Sequence, residues 1–454
     1  MIGVKTIGNA TLLAYDKKPI LATDPWLNDD EAYFGSWSLS HRIPKDTEED
    51  IFQSEYLWFS HGHPDHLNPH SIKRFSSKKI LLPDHVGSRI YKWLKSINYD
   101  VEIIKDRKWI NLSKNINVMS ISDYNQDAIL LADVNGTLFI NCNDSTIRNC
   151  RSFIRSIAKN YEKSFLLSLS GYGDADMINI FDEKGNRIPP AASYKNPVGK
   201  SLSEKAKILG AKAVIPFSSF HKYTREDSIW AQKYTTPLDV YDHEFDYEEL
   251  IFTKPFSFVD CEDNKTYSID VKKNPEKIYK PEDFGDNWSD DLNNKDLDII
   301  KNYFQRLELL KDNIGFLIFK VGGKENTFYL NKKIKKGITF EVPRSSLIKA
   351  IKYEIFDDLL IGNFMKTTFH GKNINSLYDI SFSPIVPKYA DNGRVFSRSD
   401  YRKYMKEYNL RSDGEWLKEF FERITSQFFR KYVHYDSVLY NFGRKYYNSF
   451  RKKF

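Results

Sequence analysis

Residues 60–66 read Ser-His-Gly-His-Pro-Asp-His, so three imidazoles and a carboxylate crowd into the six positions from His61 to His66. Only ten histidines serve the 454 residues, yet four of them (His61, His63, His66 and His70) fall within ten positions, which chance placement does not explain. Imidazoles this close repel one another when protonated and are best accommodated around a cation. In His-x-His the two side chains lie on one side of an extended segment, because side chains alternate with period two. Nitrogen and oxygen donors that converge in this way suit a divalent ion. One ion would take His61 and His63, and its neighbour would take Asp65 and His66. A two-ion site also needs a bridging carboxylate and further ligands from elsewhere.

Strand ends offer them. Asp144 follows Phe139-Ile140-Asn141-Cys142-Asn143, where a carboxylate at a strand terminus can reach both ions. His221 follows Ile215-Pro216-Phe217-Ser218-Ser219-Phe220 and would complete the second site. Asp65 and His221 are the candidate catalytic residues, with Asp65 binding the second ion and helping to orient the nucleophile. Asp24, in Thr23-Asp24-Pro25-Trp26-Leu27, is expected to orient a ligand histidine through that ring's other nitrogen. His41, His70 and His85 read as structural.

These residues must be held by a scaffold. Tyr56-Leu57-Trp58-Phe59 is a strand-like run leading into the heptapeptide, and Asn68-Pro69 after it has the form of a helix start. Residues 1–30 alternate like a sheet with a hairpin turn at Asp16-Lys17-Lys18-Pro19. Further strand-like runs lie at 79–82, 101–104, 117–121, 128–133 and 137–140, with helical patterns at 86–97 and 150–160. Residues 1–250 are therefore expected to form one metal-binding domain that mixes hairpins with strand–helix units. Within it, residues 180–200 form a long loop of the lid or binding kind. Residues 251–300 turn polar and read as a connector with little regular structure. Residues 301–454 read as a smaller α+β domain ending in aromatic, basic helices from Asp413 onward, the aromatics packed and the charges solvated.

Composition bounds the rest. The chain is 41% hydrophobic and 28% charged, an ordinary globular balance that can bury a large core. A net charge of +7 is modest for this length and permits an acidic ligand without demanding one. Three cysteines (Cys142, Cys150 and Cys261) suit a reducing cytoplasm and supply neither a zinc ribbon nor a Rieske cluster. No run of about 18 apolar residues is present, so a transmembrane segment is not expected. No motif beyond charge points to nucleic acid.

The pattern His-x-His-x-Asp-His resembles the signature of the metallo-β-lactamase fold superfamily, over roughly residues 1–245. Thr23 to Leu27, Tyr33-Phe34-Gly35-Ser36-Trp37 and Asn141 to Asp144 are similar to the metallo-β-lactamase-like domain of the CMP-N-acetylneuraminate hydroxylase group. The phosphodiesterase that cleaves N-acyl phosphatidylethanolamines is a more distant likeness. The resemblance implies an α/β protein: an αββα four-layer sandwich with the site at one edge, followed here by the smaller α+β domain. It also implies a third histidine about twenty residues before the bridging aspartate, yet no histidine lies between His85 and His221. Asp123 is the natural substitute and Asp127 the reserve. A carboxylate there favours iron or manganese and still permits zinc. The expected cofactors are two divalent metal ions, zinc first, with iron or manganese as alternatives. The expected function is a metal-dependent hydrolase that turns a metal-bound hydroxide on a small anionic substrate, a phosphodiester or a nucleotide-sugar or glycan-related compound. The alternatives are a di-iron oxygenase hydroxylating a sugar or nucleotide-sugar, and a metal-stabilised binding protein without turnover. Homo-oligomerisation is left open.

Overall fold

The structure is a computed structural model that describes residues 1–169, 171 and 177–422. Two large sheets form its first half. One has eight strands, in the order Lys265–Ser268, Ser257–Asp260, Ile2–Ile7, Thr11–Asp16, Lys18–Thr23, Tyr56–Trp58, Lys79–Pro83 and Asp100–Ile104. The other has seven, in the order Ile251–Phe252, Ala213–Phe217, Lys163–Leu169, Thr137–Asn143, Ala128–Val134, Ile116–Ser122 and Trp109–Ser113. Val4, Leu12, Leu21, Trp58 and Leu81 of the first meet Val118, Leu130, Phe139, Leu167 and Ile215 of the second in one buried cluster between them. The outer faces are covered by helices, Lys45–Gln53 and Arg89–Ser96 on the first sheet, Arg151–Ala158 and Val198–Leu209 on the second. Central strands such as Thr137–Asn143 are buried along their whole length, which is why they read as unbroken apolar runs and not as alternations. The molecule is thus an αββα sandwich of the metallo-β-lactamase-like kind, and it is followed by an α+β unit.

That second unit has its own five-stranded sheet and an aromatic core in which Phe304, Phe319, Phe340, Phe356 and Phe382 pack edge to face and tilted. Two segments differ from the sequence reading. The segment 180–200 opens with strand Ile180–Phe181, which pairs in parallel with Lys366–His370 and so extends the sheet of the second unit. The Asn179 side chain pins that junction by donating to the backbone oxygens of Asn363 and Met365, both at 3.1 Å. The stretch 251–300 holds three short strands, and Ser257–Asp260 closes the edge of the first sheet against Ile2–Ile7. Its outermost strand, Lys265–Ser268, is exposed at every position, so its polar composition hid an edge strand. Most of the aromatic, basic stretch beyond Asp413 and most of the Ser170–Asp174 loop lie outside the described residues. No helix among the described residues is long and apolar enough to cross a membrane.

The same stretch carries an interlock. Asp286, fully buried, accepts from Arg225 Nη2 at 2.8 Å and from the Ser346 backbone N–H at 2.8 Å, and so ties the first unit to the second. Arg225 is itself buried against the Phe364 ring, with its guanidinium carbon 4.0 Å from the centroid. Arg225 also donates to both Asp227 oxygens, at 2.8 and 3.2 Å, so losing Asp286 leaves the guanidinium partly paired. Asp286→Ala should therefore lower the unfolding free energy by about 1–3 kcal/mol, the cost of a lost hydrogen bond to a buried charged group, read as a shift in the urea midpoint.

Candidate metal centre

The heptapeptide leaves strand Tyr56–Trp58 at the edge of the sandwich, and its four donor residues are fixed one by one. Asp24, in the left-handed region at φ 41°, sits at the end of the neighbouring strand Lys18–Thr23. Its carboxylate accepts from the Ser60 backbone N–H (2.7 Å), from Ser60 Oγ (2.8 Å) and from His66 Nδ1 (3.0 Å). The Ser60 hydroxyl has one proton and gives it to Asp24, so His61 Nδ1, at 2.8 Å from that oxygen, must be the donor in their contact. One carboxylate thus sets two rings, leaving His61 Nε2 and His66 Nε2 turned inward. Buried His66 Nε2 has no hydrogen-bond partner, although Asp144 Oδ2 and Asp65 Oδ2 stand 3.4 and 3.5 Å away.

His61 Nε2 lies 2.9 Å from His63 Nδ1. Two bare lone pairs at that distance repel, so a proton or a metal ion must lie between them. His63 Nε2 is committed elsewhere, to Asp357 Oδ2 at 2.9 Å. Asp65 is held at both oxygens, by Asn9 Nδ2 (2.9 Å) and by the Tyr33 hydroxyl (2.5 Å). Asp144 leaves strand Thr137–Asn143 at a bulge between Asn141 and Asn143, the latter at φ 37°, and Ser218 Oγ donates to its carboxylate. Strained residues of this kind gather where geometry is functionally constrained. The outcome is two donor groups, His61–His63–Asp144 and Asp65–His66–Asp144, each with its ligand atoms within 4.8 Å of one another and sharing Asp144.

The electrostatics fit a cation. Burial opposes charge on His66, yet the carboxylates of Asp65, Asp144 and Asp24 overcome it and hold the ring well above the usual imidazole range. Burial likewise opposes charge on His63, and the hydrogen bond and charge of Asp357 outweigh it, pushing the ring up to about 10. Burial, with His66 and His63 beside it, drives His61 well below that range. In the ion-free protein, protons therefore occupy positions that suit metal ions, and binding would release them.

The remaining expected ligands stand as follows. The Asp123 carboxylate is engaged in its own turn, accepting from the backbone N–H groups of Asn125 (2.8 Å) and Asp127 (3.1 Å) and from Thr146 Oγ1 (3.2 Å). It is absent from both donor groups. Asp127, at the other side of that turn, makes no side-chain hydrogen bond among the described residues. Burial pushes it up to about 6 and Asp144 adds to the rise, while the charges of Lys388, His63 and His66 act against it; it too is absent from both donor groups. His221 stacks flat on Trp37, with centroids 3.4 Å apart, and its buried Nε2 has no hydrogen-bond partner. Burial pushes it down to about 3, so it is a neutral donor at pH 7, with Asp144 the carboxylate acting on it. It too lies outside the two tight groups.

Two contributors escaped the sequence reading, both from the second unit. Asp357 has been described. Lys388 belongs to a π-helical segment, Pro384–Asn392, makes no ion pair among the described residues, and lies 5.8 Å from the Tyr378 ring centroid. Its charge acts on His61, Asp123 and Asp127. Only the π-helix would have marked it, and that is a feature often found at functional sites.

Below this face Asp391 is buried and pushed up to about 7 by burial, against hydrogen bonds from Tyr303 and the charge of Arg89, with Asp357 adding to the rise. The folded chain then keeps a proton that the unfolded chain releases near the ordinary carboxylate value, about 3.9. Stability from this group is present at low pH and falls as pH rises from about 4 to 7. In the metal-free chain, Asp391→Asn should flatten the loss of urea midpoint between about pH 4 and pH 7.

No protein-family model matches the chain. In sequence it is similar to a cytidine monophosphate-N-acetylneuraminic acid hydroxylase of Danio rerio, 27% identical over 135 residues, which is 28% of this chain and 23% of that protein. The chain therefore matches under a quarter of that relative. Among solved structures it is similar to a metallo hydrolase, Igni18, of the archaeon Ignicoccus hospitalis (TM-score 0.36, 11% identity, 59% of this chain and 99% of that one). It is also similar to CmlA, a diiron β-hydroxylase of Streptomyces venezuelae (TM-score 0.33, 14% identity, 48% and 44%).

Proposed function

We propose that this chain is a dinuclear metal-dependent hydrolase acting on a small anionic substrate, a phosphodiester or a nucleotide-sugar or glycan-related compound. The observation that carries the reading is Asp144, shared by two histidine–carboxylate donor groups. Two divalent ions bound there would polarise the substrate and lower the pKa of water. Asp65, fixed by Asn9 and Tyr33, would hold the second ion and orient the nucleophile. His221, neutral and stacked on Trp37, would be a further ligand to the same ion. Asp127 would take the place of the third imidazole at the first ion. Lys388, with no carboxylate paired to it, would attract the anionic group of the substrate. The test is turnover of bis(p-nitrophenyl) phosphate by metal-stripped protein reconstituted with zinc or manganese. Turnover that needs added metal and disappears in His61→Ala supports the reading.

A second reading rests on the same Asp127. An oxygen-rich first position suits iron, and the similarity to a hydroxylase supports a di-iron oxygenase acting on a sugar or nucleotide-sugar. Protein that copurifies with two irons, shows an oxo-bridged iron absorption and cleaves no phosphodiester would decide for this alternative.

A further inference from the structure

We infer that the second unit completes the first-ion position, with Asp357 as a positioning residue that holds His63 so that Nδ1 faces the ion. The inference rests on the dinuclear reading of the site. His63 lies on a loop, and its Nε2 has one polar partner among the described residues, Asp357 Oδ2 at 2.9 Å. That contact spans 294 positions of sequence and crosses from one unit to the other. A neutral imidazole has one N–H, and the carboxylate claims it at Nε2. Nδ1 is then left bare and aimed at the point where His61 Nε2 also converges. A carboxylate on the far nitrogen of a ligating histidine fixes ring orientation and raises ligand basicity.

The carboxylate is itself built in. Helix Phe356–Ile361 starts on a residue buried in the aromatic core, and the Phe356 N–H donates to Asp391 Oδ2 at 3.3 Å. Asp391 is gripped in turn by the Tyr303 hydroxyl at 2.6 Å. Arg89 of the first unit also reaches across, donating to Asn392 Oδ1 at 2.8 Å and to the Tyr353 carbonyl of the second. A buried carboxylate is costly unless paired, and His63 is the side chain that pairs with Asp357. Docking of the second unit and occupancy of the first ion are therefore linked, each favouring the other.

The test uses the full-length chain stripped of metal and titrated with cadmium, with one 113Cd resonance read for each ion. Asp357→Asn should weaken the ion on His61 and His63 by about 10–100-fold. The ion on Asp65 and His66 should lose clearly less, since Asp357 touches none of its own ligands and can act on it only through the shared Asp144. Asp358→Asn, on the same helix and equally buried, is the control and should leave both ions in place. Unchanged affinity for both ions in Asp357→Asn overturns the inference. So does an equal loss of both ions in the two variants, which marks general damage to the fold. Should wild type take up one ion only, the dinuclear reading fails, and the inference is judged on that ion alone.

Discussion

Asp144→Ala is expected to remove both ions at once and to lower turnover by on the order of a thousandfold. Asp144 belongs to both donor groups, so its loss opens both positions, whereas loss of His61 opens one. No neighbour can substitute for it. Asp65 is already a ligand of the second ion, held in that place by Asn9 and Tyr33, and Asp24 is taken up by Ser60 and His66, so neither is free to bridge. The bulge that aims Asp144 inward is held by Asn143, whose side chain donates to the Ala128 carbonyl at 2.9 Å, so the truncation leaves the strand end intact. Metal polarisation contributes several kcal/mol to a transition state, and about 1.4 kcal/mol is a factor of ten in rate. Elemental analysis beside steady-state kinetics measures both effects. A variant that keeps one tightly held ion contradicts the shared role.

The second large effect separates two aspartates four positions apart. Asp127→Ala should cost the first ion more than the ~10–100-fold in affinity that loss of a ligand's hydrogen-bond partner costs, with the second ion retained. Asp123→Ala should leave both ions bound and instead loosen its turn, lowering stability by about 0.5–2 kcal/mol, as loss of a comparable side-chain cap does. Isothermal titration with zinc, beside urea unfolding of each variant, distinguishes them. If Asp123→Ala loses the ion and Asp127→Ala keeps it, the assignment is reversed.

That pair also shows where sequence stops informing. Counting back from Asp144 leads to the hairpin in which Ser122 pairs with Ala128, and both aspartates flank its turn. Which of them has its carboxylate taken up locally is set by the turn itself. Gln126 takes φ 68°, and the Asp123 carboxylate folds back onto two backbone N–H groups. Spacing carries no trace of that choice. The heptapeptide and the strand ends bearing Asp24 and Asp144 were legible because short-range pattern creates them: an apolar run, then a ligand. Asp357 was not, because its partner is 294 positions away and an Asp-Asp pair at a helix start looks like ordinary capping. Likewise the stacking of His221 on Trp37 depends on the bridge between strands His221–Tyr223 and Trp37–Leu39, which no local periodicity announces.

A pair of ions bridged by Asp144 is open to direct observation by anomalous diffraction from crystals of the metal-loaded chain, collected at the absorption edge of the bound metal. Two peaks about 3.5–4 Å apart are expected, with the Asp144 carboxylate between them, His61 and His63 on one and Asp65 and His66 on the other. A single peak, or two peaks that do not both contact Asp144, would contradict that bridge.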